Sequence, residues 1–130
     1  MQAKGEFEVK LQPLEPFTPG SEGLSLGRLS IDKTFQGDLV AHSQGEMLSA
    51  ITPVEGSAGY VAIEQVTGAL QGRQGTFVLQ HFGVMSHGEN RLILEVVPDS
   101  GTGQLVNLAG QMKIIIENGQ HFYEFDYSLP

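Results

Sequence analysis

The chain contains no cysteine, which removes disulfides, thiolate zinc sites, iron–sulfur clusters and cysteine nucleophiles from consideration. Basic residues are also scarce: seven Lys and Arg stand against fifteen Asp and Glu, a formal net charge of −8. A surface of that sign repels phosphate backbones. The seven (Lys4, Lys10, Arg28, Lys33, Arg73, Arg91 and Lys113) are scattered and form no basic run. Neither nucleic acid nor an anionic membrane surface is therefore an expected partner. No stretch approaches the roughly 18 apolar residues of a membrane-spanning helix. The opening Met-Gln-Ala-Lys-Gly-Glu has no apolar core of a secretory signal. Cytoplasmic is the expected location.

Helical periodicity is nearly absent too, and what replaces it is alternation broken by glycine. Seventeen glycines spread through 130 residues read as many short strands joined by turns, within one domain spanning 1–130. The predicted strands run over about 3–12, 24–35, 39–51, 58–70, 76–85, 91–97, 111–117 and 120–128. A loop rich in Pro13, Pro16 and Pro19 follows the first. A phase change at Gly27–Arg28 predicts a β-bulge in the second. Gly72 to Gly75 read as the turn into the fifth, and Asn118-Gly119 as a type I′ hairpin turn. Residues 102–109 hold the one candidate helical turn.

About eight strands at these spacings suit an antiparallel meander. The expected fold is all-β, a closed antiparallel barrel, with an open sandwich as the alternative. Ile114 to Ile116 and Leu92 to Leu94 are apolar on both faces, so one of those faces needs a cover. The Pro-rich loop, the helical turn or a second subunit would provide it, and homo-oligomerisation is the expectation tied to the last.

Candidate chemistry centres on the fourth and fifth strands. Tyr60, Ala62, Glu64 and Val66 share one face of the fourth, and Phe77, Leu79 and His81 share one face of the fifth. Counting symmetrically from the intervening turn places Glu64 level with His81. A carboxylate beside an imidazole makes an acid/base or ligand-orienting pair. The bland alternative is an exposed cross-strand ion pair. Tyr60, Gln80 and Glu46 complete the candidate ligand-binding set. In the third strand the small residues Ala41, Ser43 and Gly45 either open space inside a barrel or ease its curvature. His42, His87 and His121 show no metal-ligand spacing, and His87 and His121 read as solvated, so no metal or other cofactor is expected. Gly101-Thr102-Gly103 has no Walker lysine and follows no parallel βα unit, which argues against nucleotide binding.

Five segments carry a family resemblance. They are Gly5-Glu-Phe-Glu-Val-Lys10, Ser57-Ala-Gly-Tyr-Val-Ala-Ile-Glu64, Gly75-Thr-Phe-Val-Leu-Gln-His81, Ser100-Gly-Thr-Gly-Gln-Leu-Val-Asn-Leu-Ala-Gly110 and His121-Phe-Tyr-Glu-Phe-Asp-Tyr127. Together they resemble a family of small bacterial proteins of unknown function, assigned to the allene-oxide-cyclase-like barrels. The resemblance implies an eight-stranded barrel with an apolar cavity. Its Gly101-Thr102-Gly103 segment is similar to a motif of plant allene oxide cyclases and dirigent proteins, which bind lipophilic molecules, steer cyclisation or radical coupling, and assemble as trimers or dimers. No motif around a glutamate here matches their catalytic residues. The leading expectation is a barrel that binds a small lipophilic ligand. An isomerase or cyclase acting on such a molecule and a structural barrel packed solid are the alternatives.

Overall fold

A computed structural model describes residues 1–130. Eight antiparallel strands follow one another around a closed barrel. They are β1 (Gln2–Leu14), β2 (Ser25–Gly37), β3 (Leu39–Ile51), β4 (Ala58–Leu70), β5 (Arg73–Ser86), β6 (Glu89–Val96), β7 (Ala109–Glu117) and β8 (Gln120–Ser128). Pairing of β1 with β8, from Gln2↔Asp126 to Phe7↔His121, closes the ring and removes the open edges of a sandwich. The one helical element is a 3-10 turn over Gly103–Leu105, shorter than the predicted 102–109.

Two local expectations are corrected. The β2–β3 ladder runs unbroken from Ser25↔Ile51 to Phe35↔Ala41, so there is no bulge at Gly27–Arg28. The apparent phase change has another cause. Leu24 precedes the strand, and Leu26 lies on the outer face beside Ala50, where the barrel is apolar outside as well as in. The β4–β5 turn is also tighter than predicted. Gln71 and Gly72, at φ 46° and 87°, form a two-residue turn closed by Leu70↔Arg73. Positive φ at both positions matches the right-handed twist of the flanking strands.

Gly75 then belongs to β5 rather than to the turn, and space explains it. A Cβ there would stand 2.1 Å from the Thr102 carbonyl oxygen. Residues 97–104 run alongside the part of β5 that β6 leaves unpaired. Val97 N–H donates to the Val78 carbonyl (2.9 Å), Thr102 N–H to the Thr76 carbonyl (2.8 Å), and Thr76 N–H to Thr102 Oγ1 (3.0 Å). Leu105 and Leu108 follow and plug this end of the barrel.

The core fills the same end. Leu39, Leu70, Phe77, Phe125 and Tyr127 are buried there with the plug. The rings of Phe77 and Phe125 stack at 6.0 Å, and those of Phe125 and Tyr127 at 5.3 Å. Tyr123 Oη accepts from Leu39 N–H (2.9 Å) and donates to the Gln36 carbonyl (2.8 Å), tying β8 to the β2–β3 turn. The opposite end differs. Leu11, Ile51, Met85, Leu92 and Ile116 are inward by alternation along their strands, yet they stay between 38 and 64% exposed. One end of the barrel is packed, and the other is an open apolar mouth.

Candidate functional site

Four neighbouring strands each contribute one buried polar side chain between these two ends: Lys33 from β2, Ser43 from β3, Glu64 from β4 and His81 from β5. Each is inward because alternation puts it in phase with apolar core positions. Lys33 lies between Ile31 and Phe35, Ser43 follows Ala41, Glu64 sits between Ala62 and Val66, and His81 follows Leu79. Glycine lets β3 and β4 approach here, since a Cβ on Gly45 would stand 1.9 Å from the Ile63 carbonyl oxygen.

Glu64 is the hub. Its Oε1 accepts from Ser43 Oγ (2.7 Å), while Oε2 receives Lys33 Nζ (2.8 Å) and lies 2.5 Å from His81 Nε2. Both partners of the ion pair are buried, with Lys33 also facing the rings of Phe7 (5.0 Å) and Phe35 (5.8 Å). Burial works against the Glu64 carboxylate, but the His81 hydrogen bond and the Lys33 charge outweigh it and hold its pKa at about 2. An ionised Oε2 accepts, so His81 Nε2 carries a proton. Nδ1 has no hydrogen-bond partner within the protein. No fully buried side-chain nitrogen or oxygen is left unpartnered, so Nδ1 borders accessible space.

Tyr60 stands on the mouth side of this group, its ring 6.3 Å from that of His81. It lies over its cross-strand neighbour Gly83, where a Cβ would come within 2.2 Å of the ring. Burial, then the Glu64 charge, push the Tyr60 phenol above its ordinary value, so it stays a hydrogen-bond donor.

The structure therefore brings Glu64, His81 and Tyr60 together and leaves the other two candidates outside. Gln80 is exposed on the outer face of β5, one residue out of phase with His81. Glu46 is exposed on the outer face of β3, where it pairs with Arg28 at 2.7 Å. The level of Glu64 and His81 also differs from the symmetric count. His81 faces Ala62 and Glu64 faces Leu79, a displacement of two residues that follows from the tighter turn. An even displacement preserves facing, so the pair meets along a diagonal. His42 is exposed and pairs with Asp32 (2.7 Å), and His87 is exposed in a turn. His121, read as solvated, is half-buried at the mouth with its ring 5.2 Å from that of Phe7. Lys33 is the functional-looking residue the sequence reading passed over, although a lysine in phase with Leu29, Ile31 and Phe35 was a visible signal.

The fold and the cluster together define a small eight-stranded barrel with one packed end, one open end and a buried Lys–Glu–His group between them. The chain matches, over residues 3–127, the family described as "Protein of unknown function (DUF3224)", and it belongs to that family. It is similar to the crystal structure of a protein of unknown function from the DUF3224 family of Shewanella oneidensis MR-1. Sequence identity is 62% and the TM-score 0.98, covering 100% of this chain and 97% of that one. No curated protein matches the chain.

Proposed function

We propose that the barrel binds a small lipophilic molecule carrying one polar group, with its apolar body in the mouth and its polar end toward His81 and Tyr60. The carrying observation is the mouth itself. Inward apolar side chains of β1, β3, β5, β6 and β7 remain exposed above a polar floor that offers a free imidazole nitrogen and a phenol. A concave apolar surface with a few convergent polar groups is the usual form of a small-molecule site. In the neutral imidazole Nδ1 accepts a hydrogen bond from a hydroxyl or protonated carboxyl, and the Tyr60 phenol donates one to a carbonyl.

The test has two arms. Native mass spectrometry of freshly purified protein is expected to show an added small mass that denaturation releases. The neutral fluorophore N-phenyl-1-naphthylamine is expected to brighten on binding, and Leu92→Asp at the mouth to abolish the effect. A bare chain mass together with a dark fluorophore overturns the reading and leaves a packed structural barrel.

One observation favours a second reading, an isomerase or cyclase acting on such a molecule. A histidine whose Nε2–H is held by a fixed carboxylate, and whose Nδ1 is free, has the arrangement of a general base. Conversion of a bound lipophile that is unchanged in His81→Ala and Glu64→Gln variants would remove this reading.

A further inference from the structure

The outer face of β3 to β6 carries an apolar band that no part of the chain covers. Leu48 faces Val61, Val61 faces Phe82, and Phe82 faces Ile93, so four outward side chains form one row across four strands. Ile63 and Val84 extend it on the two adjacent rows. All six are at least 36% exposed. No acid interrupts this row, although the chain carries fifteen of them. On the far side of the barrel, by contrast, the outer face of β1 and β2 presents Glu6, Glu8, Lys10 and Asp32.

We infer that this face is the interface of a two-fold homodimer. The six side chains expose on the order of 500 Å² of apolar surface, near the upper end for the largest patch on a monomer. That is about two-thirds of the ~800 Å² each partner gives to a standard interface, and the polar rim supplies the remainder. The rim also fixes the orientation. One flanking row carries Arg91, which lies over the Phe82 ring at 5.6 Å, and the other carries Glu46 and Glu95. A two-fold axis in the interface, running across the strands, lays the apolar row on its own copy. It brings Arg91 of each copy over Glu95 of the other, forming two symmetric ion pairs. An axis along the strands instead sets Arg91 over Ala50 and Glu95 over Glu46, which Arg28 already holds, so it forms no ion pair between the copies. The occupant is thus a second copy of this chain, related by the first of these axes.

Sedimentation velocity on the purified chain tests this. The wild type is expected at twice the 14.0 kDa chain mass. Phe82→Glu, and separately Val61→Glu, are expected to raise the dissociation constant by roughly 100-fold or more, because each places a charge at the centre of the interface. Both side chains are exposed, so circular dichroism and thermal unfolding at equal dilution check that the fold is kept. Arg91→Glu is expected to weaken the dimer, and the swap Arg91→Glu with Glu95→Arg to restore it. A wild-type mass of one or three chains, or a dimer indifferent to both Phe82→Glu and Val61→Glu, overturns the proposal. Failure of the charge swap to restore a dimer weakened by Arg91→Glu overturns its orientation.

Discussion

A lone buried carboxylate would be neutral at ordinary pH, and Glu64 stays ionised only through its partners. The consequence is a pH dependence whose sign is fixed. The carboxyl titrates near its ordinary value, 4.5, in the unfolded chain and at about 2 in the folded one. A depressed folded pKa contributes stability that is fully present above the unfolded value. It is lost as pH falls from about 5 toward 2. The loss is on the order of 3 kcal/mol. Urea unfolding across this range is expected to show the decline in the wild type and a flatter profile in Glu64→Gln. Equal slopes in the two proteins would separate Glu64 from acid sensitivity. The facing of this residue was legible in the sequence because facing is a matter of parity, and parity survives a two-residue error in the turn. Its partners were less so. Ser43 read first as a device for curvature, and Lys33 as one of seven scattered cations.

Strand existence was legible almost throughout, since alternation and turn residues act locally. The bounds of β3, β4 and β8 coincide with the predicted ones. Glycine was the less legible signal, because its reason can be a turn or a neighbour, and only the tertiary structure separates the two. Gly72 serves a turn at φ 87°, whereas Gly75 makes room for the segment that closes the packed end. Gly75→Ala is therefore expected to displace the Thr102 carbonyl and loosen the Leu105 plug, costing about 1–3 kcal/mol as overpacking does. Denaturant unfolding measures the cost. Faster hydrogen exchange at the amides of Gln74, Thr76 and Val78, which bond to Gln104, Thr102 and Ser100, locates it. Unchanged stability would mean that this segment is not held against β5.

At the scale of the molecule, the wall of the barrel is uneven, and the unevenness follows from where the chain spends its residues. The strands β1 to β5 have 13 or 14 residues each, while β6 has 8 and β7 and β8 have 9. The long strands pair over most of their length. The ladder between β6 and β7 contains the single pair Glu95↔Gln111. Toward the mouth no further pair joins the two strands, which leaves a gap in the ladder with Leu92 and Ile114 inward on its two sides. Backbone groups of both edges there have no ladder partner, and such groups exchange hydrogen at low opening cost. Native-state exchange is expected to rank the strand amides accordingly. Those in the middle of β4, paired on both sides, will be the slowest. Those of Arg91 to Ile93 and Lys113 to Ile115 that point into the gap will be the fastest within strands. A lipophile seated in the mouth against Leu92 would cover this gap. Saturating N-phenyl-1-naphthylamine is expected to slow these amides while leaving those of β4 unchanged. Uniform protection around the ring in the free protein would show that β6 and β7 pair more fully in solution.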